Sequence, residues 1–219
     1  MITPIFVLDS REAWRPQPAE TAETLGKING QPVDLSNLPA AGGRIDFPSP
    51  PALKDPQDTP VVGYHRALKT EGLWWHQYWL WYLYNPWAIA GVGKHEGDWE
   101  FVQLACIDRA GKKPVLATAS QHREGEKREF WRCELRRGRP VIYVARGSHA
   151  NFFTPGSRGV DVADGNGRDL SRITWRDFGP WAEWPGIWGN STEEGKSPSS
   201  PGSQTQRWTT PHLFHSSAR

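Results

Sequence analysis

The sequence predicts an all-β fold, an antiparallel β-sandwich or jelly roll with an irregular N-terminal arm and a Trp-rich C-terminal wrap. Three observations predict it. Glycine and proline number 22 and 19 among 219 residues and are joined by 13 tryptophans, a composition that suits turns and pleated surfaces. Short β-favouring runs recur between residues 61 and 145, separated by Gly, Pro and charged turns, which is the spacing of a sandwich. Long amphipathic helical patterns are scarce.

Residues 1–60 are rich in Pro, Ala and polar side chains, with apolar pieces at 5–8 and 28–38. They are expected to form an irregular arm packed on the core. Residues 61–219 are expected to form a single metal-binding β-sandwich domain, a length that suits one core. Strands are expected at 61–67, 74–84, 98–107, 114–120, 129–135 and 140–145. The strand at 74–84 is aromatic on both faces, with Trp74, His76, Tyr78, Tyr82 and Tyr84 on one and Trp75, Trp79 and Trp81 on the other. Both faces therefore need cover, which makes it a central strand, or in part a pocket wall whose His76 and Tyr78 contact a sugar, aromatic or isoprenoid ligand. Beyond Gly156 the chain is loop-rich, and the Pro/Ser/Gly segment 197–203 reads as a mobile or wrapped loop. Trp175, Trp181, Trp184, Trp188 and Trp208 are expected to fold back onto the sandwich, because exposed aromatics at that density invite association.

A formal net charge of +2 at pH 7 is too near balance to imply a nucleic-acid partner. No segment approaches the apolar length of a transmembrane span, and no export signal is visible. Cys106 lies in an expected buried strand, so it and Cys133 read as reduced thiols, which favours the cytoplasm; a secreted mature chain would look the same.

The densest chemistry is in Gly93-Lys94-His95-Glu96-Gly97-Asp98-Trp99-Glu100. Strand alternation sets Asp98 and Glu100 on one face, and like charges this close call for a cation. Gly93 and Gly97 free the backbone, so that His95 is expected to curl over that face and complete a half-cage of one nitrogen and two carboxylates. With no thiolate, calcium, magnesium or manganese suits His95, Asp98 and Glu100 better than zinc. His122 and His149 end expected strands and are candidates for lining the site and moving a proton, together with Glu100. Trp99, Arg146 and Ser148 are candidates for ligand contact. Asp164 lies in an Asp/Asn/Gly turn whose spacing fails the usual calcium loop, but from which a carboxylate can reach the site.

Four motifs occur in order here: Tyr78-Trp79 to Tyr84-Asn85, His95 to Glu100, Ser120-Gln121-His122, and Tyr143-Val144-Ala145-Arg146-Gly147-Ser148-His149-Ala150. Together they resemble the vacuolar protein sorting-associated protein 62 family. A more distant similarity is to the necrosis- and ethylene-inducing-like proteins, β-sandwich cytolysins. Their His-x-x-Asp-x-Glu metal spacing falls on His95, Asp98 and Glu100, and a later histidine near their pocket falls on His149. Glu96-Gly97 departs from the Arg-His pair of those cytolysins.

The expected function is that of a small divalent-metal-dependent enzyme of hydrolase or lyase type acting on an apolar, aromatic or glycan-like small molecule. The alternatives are a metal-dependent module binding a lipid headgroup or glycan, as the cytolysin resemblance implies, and a metal that only staples the fold.

Overall fold

The aromatic strand is the axis of the molecule. The computed structural model describes residues 1–48, 61–86, 93–122, 124–190 and 196–214; the stretch 49–60 expected to close the arm lies outside them. The N-terminal strand β1 is Ile5–Leu8. The main sheet contains β2 (Val62–Thr70), β3 (Leu73–Asn85), β4 (His95–Cys106), β5 (Pro114–Gln121) and β6 (Glu124–Glu129), antiparallel in that order. A smaller sheet pairs β1 in parallel with β8 (Arg139–Val144), which also carries the short antiparallel strands β7 (Leu135–Arg136) and β9 (Asn151–Phe152). Finally β10 (Thr174–Arg176) adds in parallel to the outer side of β2. These two sheets are thus antiparallel except at two strand pairs, and the arm and tail add a short parallel pair of their own, Arg44–Ile45 with Ile187–Trp188.

Alternation along β3 and β4 divides the core in two. Tyr78, Leu80, Tyr82, Val102 and Leu104 pack with Phe6, Leu8, Ile142 and Val144 of the smaller sheet and with Phe153 just beyond it. Trp79, Trp81, Trp99 and Phe101 face the other way, under the arm (Ala19, Ala22, Ile45, Phe47) and the tail (Trp181, Trp184, Trp188, Trp208, Phe214). Burying such side chains is worth about 1.5–3 kcal/mol each, so the wrap is an integral part of the core. Of the tryptophans expected to return, Trp181, Trp184, Trp188 and Trp208 are buried, whereas Trp175 is half-buried and packs on the opposite core against Phe6 and Tyr78. The 197–203 loop is wrapped, with the Trp188 indole N–H donating to Ser200 Oγ at 2.8 Å.

Two glutamines within this aromatic face hold the tail. Gln77 and Gln103 are directly opposite each other on β3 and β4 and share a 3.1 Å hydrogen bond. The Gln77 side-chain amide also donates to the Arg207 carbonyl, and that of Gln103 to the Pro211 carbonyl at 2.8 Å. Buried amides need partners, and here the tail backbone supplies them.

Three boundaries differ from expectation. The apolar piece at Ile5–Leu8 belongs to the smaller sheet, and Thr21–Leu25 forms a short helix, α1, so the arm is only partly irregular. The strand expected at 129–135 lies instead at Glu124–Glu129, followed by a 3-10 turn at Phe130–Arg132. This edge strand is rich in charge, the usual guard against edge pairing, so apolar alternation does not mark it. And β4 begins at His95 rather than Asp98, which bears on the site. Cys106 and Cys133 are both buried free thiols. No helix among the described residues is long and apolar enough to cross a membrane.

Candidate functional site

A notch opens where β4 outruns β5. The β3–β4 ladder runs from Trp74 opposite Cys106 to Asn85 opposite His95, whereas the β4–β5 ladder reaches only Val102 opposite Ala119. Beyond it the Phe101 N–H turns to Ser120 Oγ at 2.9 Å. Tail residues 196–207 wall the gap, leaving an open cavity of about 900 Å³ lined by Asp98, Glu100, His95, His122, Gln204 and Arg207 among others.

Asp98 and Glu100 project to the same side, as strand alternation requires, and both are buried. Asp98 Oδ2 accepts from His149 Nδ1 at 2.8 Å. Glu100 Oε2 accepts from the Ser120 hydroxyl, which also accepts from the Asn151 side-chain amide at 3.2 Å. Burial first, and then the charge of Asp98, pushes the Glu100 carboxyl well above the usual carboxylate range; Arg207, Ser120 and His122 oppose that rise. This is the response expected of an acid pair held in low dielectric.

The histidine half-cage is not assembled. Because His95 is already in β4, its backbone is committed to pairing with Asn85, and its Nδ1–H donates to the Gly97 carbonyl at 2.7 Å. The Asn85 amide sits between the ring and the acids, 3.2 Å from His95 Nε2 and 3.5 Å from Asp98 Oδ2. No three His, Cys, Asp or Glu side chains among the described residues converge as a ligand cluster. Gly97 does not serve the expected curl of His95; its constraint is a close approach of the tail. At φ 65° it lies under the tail, and a Cβ there would stand 2.0 Å from the Trp188 carbonyl oxygen.

The other candidates divide. His122 lines the notch; its Nε2 is 3.0 Å from Asp161 Oδ2, and Ser148 Oγ donates to Asp161 Oδ1 at 2.5 Å. The Asp161 hydrogen bond raises the His122 pKa against the opposing effect of burial. His149 is fully buried behind Asp98, its ring stacked on Tyr82 at 3.7 Å, with Glu12 Oε1 3.9 Å from its Nε2. It orients Asp98 but does not reach the cavity as a proton carrier would. Both His122 and His149 have φ of 54°, a left-handed conformation that costs a non-glycine residue roughly 1 kcal/mol.

Trp99 touches the notch, but its indole is stacked on Trp181 in the wrap, so it is a packing residue. His76 and Tyr78 lie toward the other end of β3, against His65 and the N-terminal strand: His76 Nδ1 is 3.1 Å from His65 Nε2, and the Tyr78 hydroxyl donates to the Ile2 carbonyl at 2.6 Å. They form no wall of this cavity, because the register carries them away from it. Arg146 is exposed and outside the lining. Asp164 is engaged by Ser10 and the Asn166 N–H, a turn role rather than a ligand contact.

Sequence reasoning missed Asn85, Ser120 and Arg207. Asn85 and Ser120 lie inside motifs that had drawn attention to their neighbours. Arg207 gave no signal: it comes from the short helix α2 (Thr205–Trp208), more than a hundred residues from the acids. Its guanidinium donates to the His122 carbonyl and to Gln204 Oε1 at 3.1 Å, and lies over the rings of Phe214 and Phe101 at 5.0 and 5.6 Å.

No protein-family model and no curated protein matches the chain. Among solved structures, it is similar to necrosis and ethylene inducing protein 2 from the causal agent of cocoa's witches' broom disease, at 17% identity, covering 80% of this chain and 70% of that one with a TM-score of 0.47. A triple mutant of NLPPya matches at 18% identity over 83% and 73% of the two chains, TM-score 0.47. NLPPya in complex with mannosamine matches at 22% identity over 74% and 68%, TM-score 0.44.

Proposed function

We propose that the notch is a cation-assisted binding site for a polyhydroxylated ligand, a glycan or sugar-like headgroup. The observation that carries this reading is the Asp98–Glu100 pair on the floor of a polar, open cavity. Each carboxylate commits one oxygen, Asp98 to His149 and Glu100 to Ser120, and among the described residues the second oxygen of each has no hydrogen bond. Two such oxygens beside one void fit a hard divalent cation, calcium, magnesium or manganese, with Asn85 and His95 next to them. Bound there, the cation would offer coordination to ligand hydroxyls. Gln204, Thr205, Gln206, Ser199 and Lys196 on the tail side supply donors and acceptors for the rest of a sugar.

Two features weigh against an enzyme for an apolar substrate. The aromatic strand is buried on both faces, and His149 is sealed behind Asp98. Turnover remains a second reading on one observation, the Asp161–His122 pair at the rim of the cavity, which is built to hold a proton. All four sequence motifs contribute residues to the notch, through Asn85, through Asp98 and Glu100, through His122 and through Ser148.

The test is a glycan array probed with calcium and with EDTA, wild type beside an Asp98→Asn/Glu100→Gln variant. Binding is expected only with cation and only in the wild type. Glycan binding that survives EDTA, or none under any condition, would overturn the reading.

A further inference from the structure

Arg207 is the least expected occupant of the notch. It is a cation held in place without a carboxylate in direct contact: among the described residues no ion pair to it falls within 4.0 Å, and its anchors are the His122 carbonyl, the Gln204 amide oxygen and the faces of Phe101 and Phe214. The backbone behind it is fixed as well, since the Arg207 carbonyl accepts from buried Gln77 and the next residue, Trp208, packs under Arg66 at 3.6 Å. Such a placement costs desolvation. Arg207, Asp98 and Glu100 line the same cavity, and the guanidinium lies over Phe101, the residue next to Glu100; in keeping with that placement, burial lowers the Arg207 pKa while the attraction of Glu100, then of Asp98, works against the loss, and Arg207 favours the ionised form of Glu100. Each side thus offsets part of the other's desolvation through space.

We propose that Arg207 is a built-in counter-ion to Asp98 and Glu100, and that the guanidinium and a divalent cation are alternative neutralisers of the same pair. The proposal rests on the cation reading above and adds a consequence to it: the tail sets cation affinity. A doubly charged ion entering beside the acids meets the repulsion of a fixed positive charge in a partly desolvated setting, where charge interactions are several times stronger than in water. Coupling of this kind is reciprocal. An ion weakens the hold of the acids on Arg207, and an Arg207 held elsewhere tightens the ion.

Calorimetric titration of manganese into the full chain, comparing wild type with Arg207→Gln and Arg207→Lys, tests this. Arg207→Gln is expected to bind manganese on the order of tenfold more tightly, with Arg207→Lys close to wild type because the charge is kept. In metal-free buffer Arg207→Gln should melt below wild type, and saturating manganese should close that gap. Equal or weaker manganese binding by Arg207→Gln, with wild type binding intact, overturns the counter-ion assignment while leaving the cation site standing. No manganese or calcium bound by any of the three overturns both.

Discussion

Asp98 has two duties that different substitutions separate. It faces the cavity, and it accepts the Nδ1–H of a histidine with no access to solvent. Asp98→Ala leaves His149 with both ring nitrogens unpartnered, because Nε2 already has no hydrogen bond, and an orphaned buried polar group costs about 1–3 kcal/mol. Asp98→Asn keeps an acceptor and removes the charge. Urea denaturation is therefore expected to place Asp98→Ala about 1–3 kcal/mol below wild type and Asp98→Asn within about 1 kcal/mol, while both lose cation binding. Equal stability of the two variants would remove His149 from the argument. The acids themselves were legible in the sequence, because period-two alternation sends Asp98 and Glu100 to one side whatever lies around them. The place of His95 was not: it depends on Gly97 adopting φ 65° beneath Trp188, a contact between residues ninety positions apart. Arg207 was invisible for the same reason, since an isolated arginine in a tail carries no periodicity.

At the scale of strands, the hydrophobic pattern located β3, β4 and β5 to within a few residues, because each is a mostly buried, β-favouring run bounded by turn residues. It failed for β6, whose side chains are mostly charged, and for β10, three residues long. The β2–β3 pair has a titratable feature of its own. His65 and His76 lie on the same side of diagonal positions, their nitrogens 3.1 Å apart, with Asp177 and the N-terminal amino group also felt by His65. Burial, and then the neighbouring His76, brings the His65 pKa down to about 4. Its folded value lies below the free value, so between the two the unfolded chain binds a proton that the folded chain refuses. Stability is whole above about pH 6.5, falls as the pH drops, and levels off below about 4. With His65 partly accessible, the loss is expected to be about 1–2 kcal/mol. Denaturation curves at pH 7 and pH 4, wild type against His65→Gln, should show a shallower decline in the variant; parallel declines would assign the acid sensitivity elsewhere.

Taken whole, the molecule is a sandwich whose second cover is a coil. The arm and tail supply thirteen of the twenty residues in the larger core cluster, and the composition foretold this because thirteen tryptophans in 219 residues cannot all be exposed. What it could not foretell is that the same tail walls the notch. Ending the chain at residue 196 would uncover Trp79 and Phe101 and leave the amides of Gln77 and Gln103 without their tail partners. The truncated chain is expected to bind a hydrophobic dye strongly and to associate in ultracentrifugation; a monomer with wild-type dye response would show the tail to be dispensable. The glutamine hooks carry one more implication, for the order of assembly. Gln77 and Gln103 meet their tail partners across 130 and 108 residues of sequence, contacts of high order that close late. On a ribosome the partners emerge well after the strands they complete, so a nascent chain holds an aromatic sheet whose two amides lack their tail partners until residues 207–211 follow. Docking of the tail is then a discrete closing event, and the notch, together with whatever it binds, comes into being only at that moment.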